Sequence, residues 1–253
     1  MNDKQWNYFC SFRDAFKEKT LEWSSRINNL AQLQKKAAIS TKTPEYPFEN
    51  AVVYNTDLDK ITKTDDIKLL VIGDNPGKDE QLNKNCRYLC GQAGKIADGF
   101  FKRNADLKID FRKNVIILNK TPVHSAKTAQ LRLIMKDGGP AVCDLILESQ
   151  LWMAEHTAEL LKNLDQAELW LVGYSELKGK GFFVPYRDML KKTICGGKNG
   201  EAWQRVFVFQ HFSMNRFTID LSAFVKQNGL DKKTLIEQLH ILGELHKKEI
   251  FEE

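Results

Sequence analysis

The chain is short of cysteine and has none of the patterns that give cysteine a chemistry. Its five, Cys10, Cys86, Cys90, Cys143 and Cys195, are odd in number and scattered, without a C-x-x-C pair. That argues against a disulfide framework or a zinc site and for reduced thiols. No metal and no cofactor are expected. No uninterrupted apolar run approaches the roughly 18 residues that span a bilayer. Met1 to Trp6 also lack the basic-then-apolar order of a signal peptide. The expectation is a cytoplasmic protein, a monomer, with no membrane partner. No internal repeat or low-complexity tract is present.

What remains is the composition of a globular domain. Of 253 residues, 42% are hydrophobic and 28% charged, enough to bury one real core and far from the composition of disordered chains. A single domain is expected over 1–253, with its core at about 45–228. The net charge of +5 suits a polyanionic partner but does not identify one, because solvated lysines give the same sum.

Trp6, Phe9, Phe12, Phe16, Trp23 and Ile27 recur at three- to four-residue steps. That spacing predicts one amphipathic helix over 3–38 whose aromatic stripe packs on the core. Thr41 to Pro47, with two prolines, predicts a linker. A second helical extension is expected over 232–250. Between them, four short β-rich runs alternate with helical stretches: Lys68 to Gly73, Asn114 to Asn119, Glu168 to Gly173 and Arg205 to Gln210. The alternation implies a parallel sheet, and runs such as Val115-Ile116-Ile117-Leu118 imply strands covered on both faces. The predicted fold is a three-layer α/β/α sandwich around a central, mainly parallel four-stranded sheet.

In such sheets ligands bind beyond the carboxyl ends of the strands. Those ends read Gly73-Asp74-Asn75-Pro76-Gly77, Asn119-Lys120-Thr121-Pro122, Gly173-Tyr174-Ser175 and His211-Phe212-Ser213-Met214-Asn215. The GDNPG turn lets backbone amides approach a ligand while holding the Asp74 and Asn75 side chains at the edge. An Asn119 amide at the next edge donates one hydrogen bond and accepts another, enough to read a base. His211 stabilises developing negative charge. Each element alone is also an ordinary turn, cap or satisfied polar residue.

In combination and in this order they resemble the uracil-DNA glycosylase superfamily. GDNPG resembles the G-x-N-P-G first motif of its mismatch-specific and single-strand-selective monofunctional classes, VIILN the strand that supplies the base-reading Asn, and HFSMN the H-P-S second motif. Val53-Tyr54-Asn55 looks like the V-Y-N segment of the single-strand-selective class. Cys90-Gly91-Gln92-Ala93-Gly94 resembles V-G-R-A-G of the iron–sulfur class, and Thr121-Pro122 the T-P loop of the mismatch-specific class. The resemblance runs from about Val52 to Phe217. It departs in lacking the cluster cysteines, in Phe212 where the family has Pro, and in Leu89 where the stacking aromatic falls, with Tyr88 beside it.

The resemblance implies a monofunctional DNA glycosylase that flips a uracil or related deaminated base from DNA and hydrolyses its N-glycosidic bond. It assigns Asn75, Asp74 and His211 to catalysis, without ranking Asn75 against Asp74. Asn119, Gly73, Pro76, Gly77, Tyr88, Leu89 and Gly91 go to the base, and Ser213, Met214, Asn215 and Arg216 to the wedge that fills the vacated stack. Lys120, Lys127, Arg132, Lys178, Lys180 and Arg187 lie in the loops beyond the strand ends and are expected to form a phosphate-binding rim. Two other readings stand beside it: a catalytically silent nucleic-acid or nucleotide-binding module on the same fold, and a flavodoxin-like binder. The second is disfavoured by the acidic GDNPGKDE loop, which does not suit phosphate.

Overall fold

A computed structural model describes residues 1–196 and 200–252. The elements run α1 (Asp3–Arg26), α2 (Leu30–Ser40), β1 (Leu69–Gly73), α3 (Gln92–Arg103), β2 (Val115–Asn119), α4 (Gln130–Asn163), β3 (Glu168–Val172), α5 (Val184–Cys195), α6 (Glu201–Gln204), β4 (Val206–Phe209), α7 (Arg216–Gln227) and α8 (Leu235–Phe251). The chain is α/β, as its alternating pattern predicts, and the sheet is parallel throughout, in the order β2-β1-β3-β4. Every strand residue except Glu168 is buried, so helices cover both faces. On one face Phe101, Phe209 and Phe217 gather around Trp170, with ring centroids 5.0–5.9 Å apart.

The predicted single N-terminal helix is two. α1 stops at Arg26 and α2 begins at Leu30, and the turn between them carries Asn28 and Asn29. Asparagine competes for backbone hydrogen bonds and ends helices. Ile27 continues the apolar spacing across the break and hides it. The aromatic stripe does pack inward: Phe9, Phe12, Phe16 and Trp23 are buried, and Phe12 and Phe16 stack on Trp152 of α4. α4 is itself broken at Gly139, where φ is 70°, ahead of Pro140, which cannot donate to the preceding turn. No helix among the described residues is long and apolar enough to cross a membrane.

The strand order positions the site. β2 lies on one side of β1 and β3 on the other, so the connection from β1 to β2 and that from β3 to β4 run in opposite directions. This opens a crevice beyond the carboxyl ends of β1 and β3, where ligands of open α/β sheets bind.

Candidate active site at the carboxyl edge of the sheet

Three strand ends bring the chemistry-bearing residues together. Gly73, the last residue of β1, is paired in register with Asn119, the last of β2. The Asn119 side chain lies directly across Gly73: a Cβ there would stand 2.4 Å from Asn119 Oδ1, so the close approach requires glycine. On the other flank, Gly173 adopts φ 99°, and a Cβ on it would meet Asp74 Oδ1 at 2.3 Å. Asp74 is thus laid over the end of β3, inside the crevice.

Lys120 closes this crevice from below. Its side chain is wholly buried and its ammonium donates to Asp74 Oδ1 (2.6 Å), Val172 O (2.5 Å) and Gly73 O (3.2 Å), beneath the Phe183 ring. Burial lowers its pKa and the Asp74 carboxylate opposes that shift. Lys120 therefore does not belong to the expected phosphate rim. Arg187 does not either: it is tied to Asp188, Leu177 O and Ile250 O. Arg132 is drawn to Glu176 and Lys180 O, whereas Lys127 and Lys180 are exposed.

Asn75 is fixed by its neighbours. Its Nδ2 donates to Ser125 O and Ser125 Oγ, both at 3.0 Å, and its Oδ1 accepts from Thr128 Oγ1 at 3.0 Å. One lone pair of Oδ1 remains. Behind this loop sits His124, which the sequence reading missed. It is fully buried, its Nδ1 donates to Pro76 O at 2.8 Å, and its Nε2 accepts from Tyr46 Oη at 3.0 Å. Burial pushes its pKa down to about 4, so the ring is neutral and serves as a mount for the GDNPG turn.

His211 follows β4 and is half-buried. The Ser213 amide (3.1 Å) and hydroxyl (2.9 Å) converge on its Nδ1. Nδ1 is therefore the bare nitrogen of a neutral ring, and the proton resides on Nε2. Burial lowers its pKa. Asp74 acts against this and Lys120 adds to it, which places His211 in the field of the same ion pair. Phe212, where the family has Pro, is buried against Phe217 with ring centroids 4.6 Å apart and anchors the loop. Beyond it Met214 and Asn215 are both left-handed (φ 54° and 56°), and Met214 is 82% exposed. Arg216 is exposed beside them.

The second missed residue is Glu80, buried in the same loop with Oε2 accepting from the Gly77 amide at 3.2 Å. Burial pushes its carboxyl up to about 7 against the pull of the Gly77 and Leu89 amides, the Asn119 side chain and Arg112. Asn119 Nδ2 faces this carboxyl without a hydrogen bond of ordinary geometry and has no other partner. It is a buried donor left free beside an acceptor whose charge changes near neutral pH. Tyr88 and Leu89 are both buried. Tyr88 is built into the core, its hydroxyl donating to Val53 O at 2.6 Å, so its ring is not presented as a stacking surface. Arg112 clamps the carbonyls of Tyr88 and Leu89, and Gly91 lies against Asp79. Nothing in the sequence marks Glu80 or His124 as buried; only the return of the 119–125 loop over GDNPG makes them so.

Glu80 has a measurable consequence. With a folded value near 7 and an unfolded value near 4.5, the native state holds the proton more tightly between these limits. Glu80 therefore costs stability as pH rises from 4.5 to 7, by about 3 kcal/mol when the change is complete. His124 has the opposite sign, with stability lost as pH falls below 6.5 toward 4. In a comparison of Glu80→Gln with the parent, the His124 contribution cancels. Glu80→Gln should be the more stable protein at pH 8 and lose that advantage by pH 5 in urea unfolding. A difference independent of pH would mean that Glu80 is not desolvated.

Fold and site together define an α/β protein with a parallel four-stranded sheet and a cluster of polar and charged side chains at its strand ends. Comparison with known protein families, curated proteins and solved structures gives no match. Among the described residues no group of three or more His, Cys, Asp or Glu is arranged to hold a metal ion.

Proposed function

We propose that this chain is a uracil-DNA glycosylase-type enzyme that hydrolyses the N-glycosidic bond of a deaminated base extruded from DNA. The observation that carries the reading is the convergence of Asp74, Asn75, Asn119 and His211 from three strand ends on one crevice. Hydrolysis of this bond builds positive charge on the sugar and negative charge on the departing base. The site offers an anion and a donor for these two charges. Asp74 faces the developing oxocarbenium, and His211 presents Nε2–H to the base oxygen that gathers charge. Asn75 Oδ1, with one lone pair free, orients water toward C1′. The C1′–N bond breaks as the C1′–O bond forms, the base leaves with the bonding electrons, and the proton released by the attacking water passes to Asp74. The exposed Met214 supplies the apolar tip that fills the vacated stack.

The test is incubation with oligonucleotides carrying uracil, hypoxanthine or xanthine, followed by alkaline cleavage at abasic sites. Cleavage of at least one supports the reading. No cleavage of any of them overturns it in favour of a silent nucleic-acid-binding module, to which the saturation of Asp74 by Lys120 also lends itself.

Base reading is assigned to Asn119, whose Nδ2 would donate to uracil O4 while Oδ1 accepts from N3–H. Asn119→Asp removes the donor and sets a second carboxyl group against Glu80. Uracil excision in single turnover should collapse, while any cytosine excision stays slight because two neighbouring carboxyls favour a shared proton. Uracil excision at the parental rate would remove Asn119 from recognition.

A further inference from the structure

A second feature adjoins the motif loop through His124. The last turns of α2 and the segment that follows enclose a groove of about 470 Å³ lined by Lys35, Ile39, Thr43, Pro44, Tyr46 and Phe48. That volume falls within the range of small-ligand sites. The Tyr46 and Phe48 rings are half-buried and held edge-on by His124, with centroids 5.8 and 5.4 Å from it. Because His124 also bonds Pro76 O, both rings are mounted on the turn that carries Asp74 and Asn75.

The charge around the groove is mainly positive. Lys35 sits over Phe48 at 5.2 Å and Lys78 over Tyr46 at 5.9 Å. Lys42 is exposed, and Lys127 reaches Thr41 O at 3.4 Å. None of these four lysines has a carboxylate partner among the described residues, whereas Lys36, on the same helix as Lys35, is paired with Asp137 at 2.9 Å. The single carboxylate in the lining is Glu45. Ammonium groups resting on aromatic faces in water are weakly held and are released readily to a phosphate.

We propose that this groove is a stacking subsite for single-stranded nucleic acid. Bases flanking the crevice lie on the faces of Tyr46 and Phe48, and Lys35, Lys42, Lys78 and Lys127 take the phosphates between them. Aromatic faces bind bases of any identity but need them unpaired, so a duplex is excluded from the rings and retains only the phosphate contacts. The inference rests on the proposed glycosylase only for the point at which the strand enters.

The experiment is fluorescence anisotropy with the full chain and a uracil-free fifteen-nucleotide thymidine strand, beside a duplex of equal length. The single strand should bind about tenfold more tightly or better. Phe48→Leu should weaken single-strand binding by about tenfold and leave duplex binding nearly unchanged. The double variant Lys35→Glu, Lys78→Glu should lower the slope of log affinity against log salt by about 1.4, two contacts at roughly 0.7 each for a single strand. The charge variants are at exposed or groove-lining positions, so they carry the test if Phe48→Leu fails to fold. Equal affinity for strand and duplex, indifference to these substitutions, or capture of poly-glutamate as tightly as the oligonucleotide would overturn the subsite. Since the probe carries no damaged base, binding without excision discards the glycosylase alone, and excision without groove-dependent binding discards the groove alone.

Discussion

Asp74→Ala is expected to destabilise the protein by about 3–5 kcal/mol, a large effect for a residue at the edge of a sheet. The carboxylate itself is not the cause. Its removal leaves the Lys120 ammonium, wholly buried, with the carbonyls of Gly73 and Val172 and the Phe183 ring but no counter-charge in contact. An unpaired buried charge costs far more than the net worth of the pair it came from. Lys120→Met should therefore restore much of the loss when combined with Asp74→Ala. The single variants and the double variant, unfolded in urea, give the coupling directly. Losses that simply add would mean that water reaches Lys120 and that the crevice is open below. The same cycle guards the enzymology: a rate lost in Asp74→Ala counts as catalytic only where the variant is folded.

His211→Ala should lower single-turnover excision by about 10²–10³-fold, the usual worth, near 3 kcal/mol, of one pre-aimed donor to a developing anion. Lys120 is spent on the strand ends, Asn75 on Ser125, and the free Asn119 amide is assigned to uracil O4, so none of the three replaces His211 at the oxygen it serves. The fold should survive the change, because His211 is half-buried and its bonds are to Ser213, two residues on. A nitrogen-15 spectrum of the parent at pH 7 should contain the neutral Nε2–H form. A parental rate in the variant, or an imidazolium at neutral pH, would take the donor role from His211.

The strands were legible because a sheet buried on both faces demands unbroken apolar runs, and four such runs stand in the sequence. The polar residues at their ends were legible for the complementary reason, that polar groups survive in such strings only where the strand leaves the core. Lys120 was misplaced on the surface because lysine is seldom buried, and nothing local distinguishes it from Lys127. Its burial depends on Phe183 and Val172, more than fifty residues away. Glu80 and His124 escaped for the same reason: each is defined by a loop that folds back over the GDNPG turn. The break between α1 and α2 was readable in Asn28 and Asn29, had the aromatic spacing not continued through Ile27.

The left-handed pair at Met214 and Asn215 bears on the cost of association. Non-glycine residues pay about 1–2 kcal/mol each to stand in that region. They also surrender most of the freedom a loop tip ordinarily keeps, and fixing a backbone residue costs about 1–2 kcal/mol in entropy. Both charges fall on folding, before any ligand arrives. A partner that receives the Met214 thioether into an apolar gap thus gains the full benefit of dehydrating it, with little left to spend on ordering the loop.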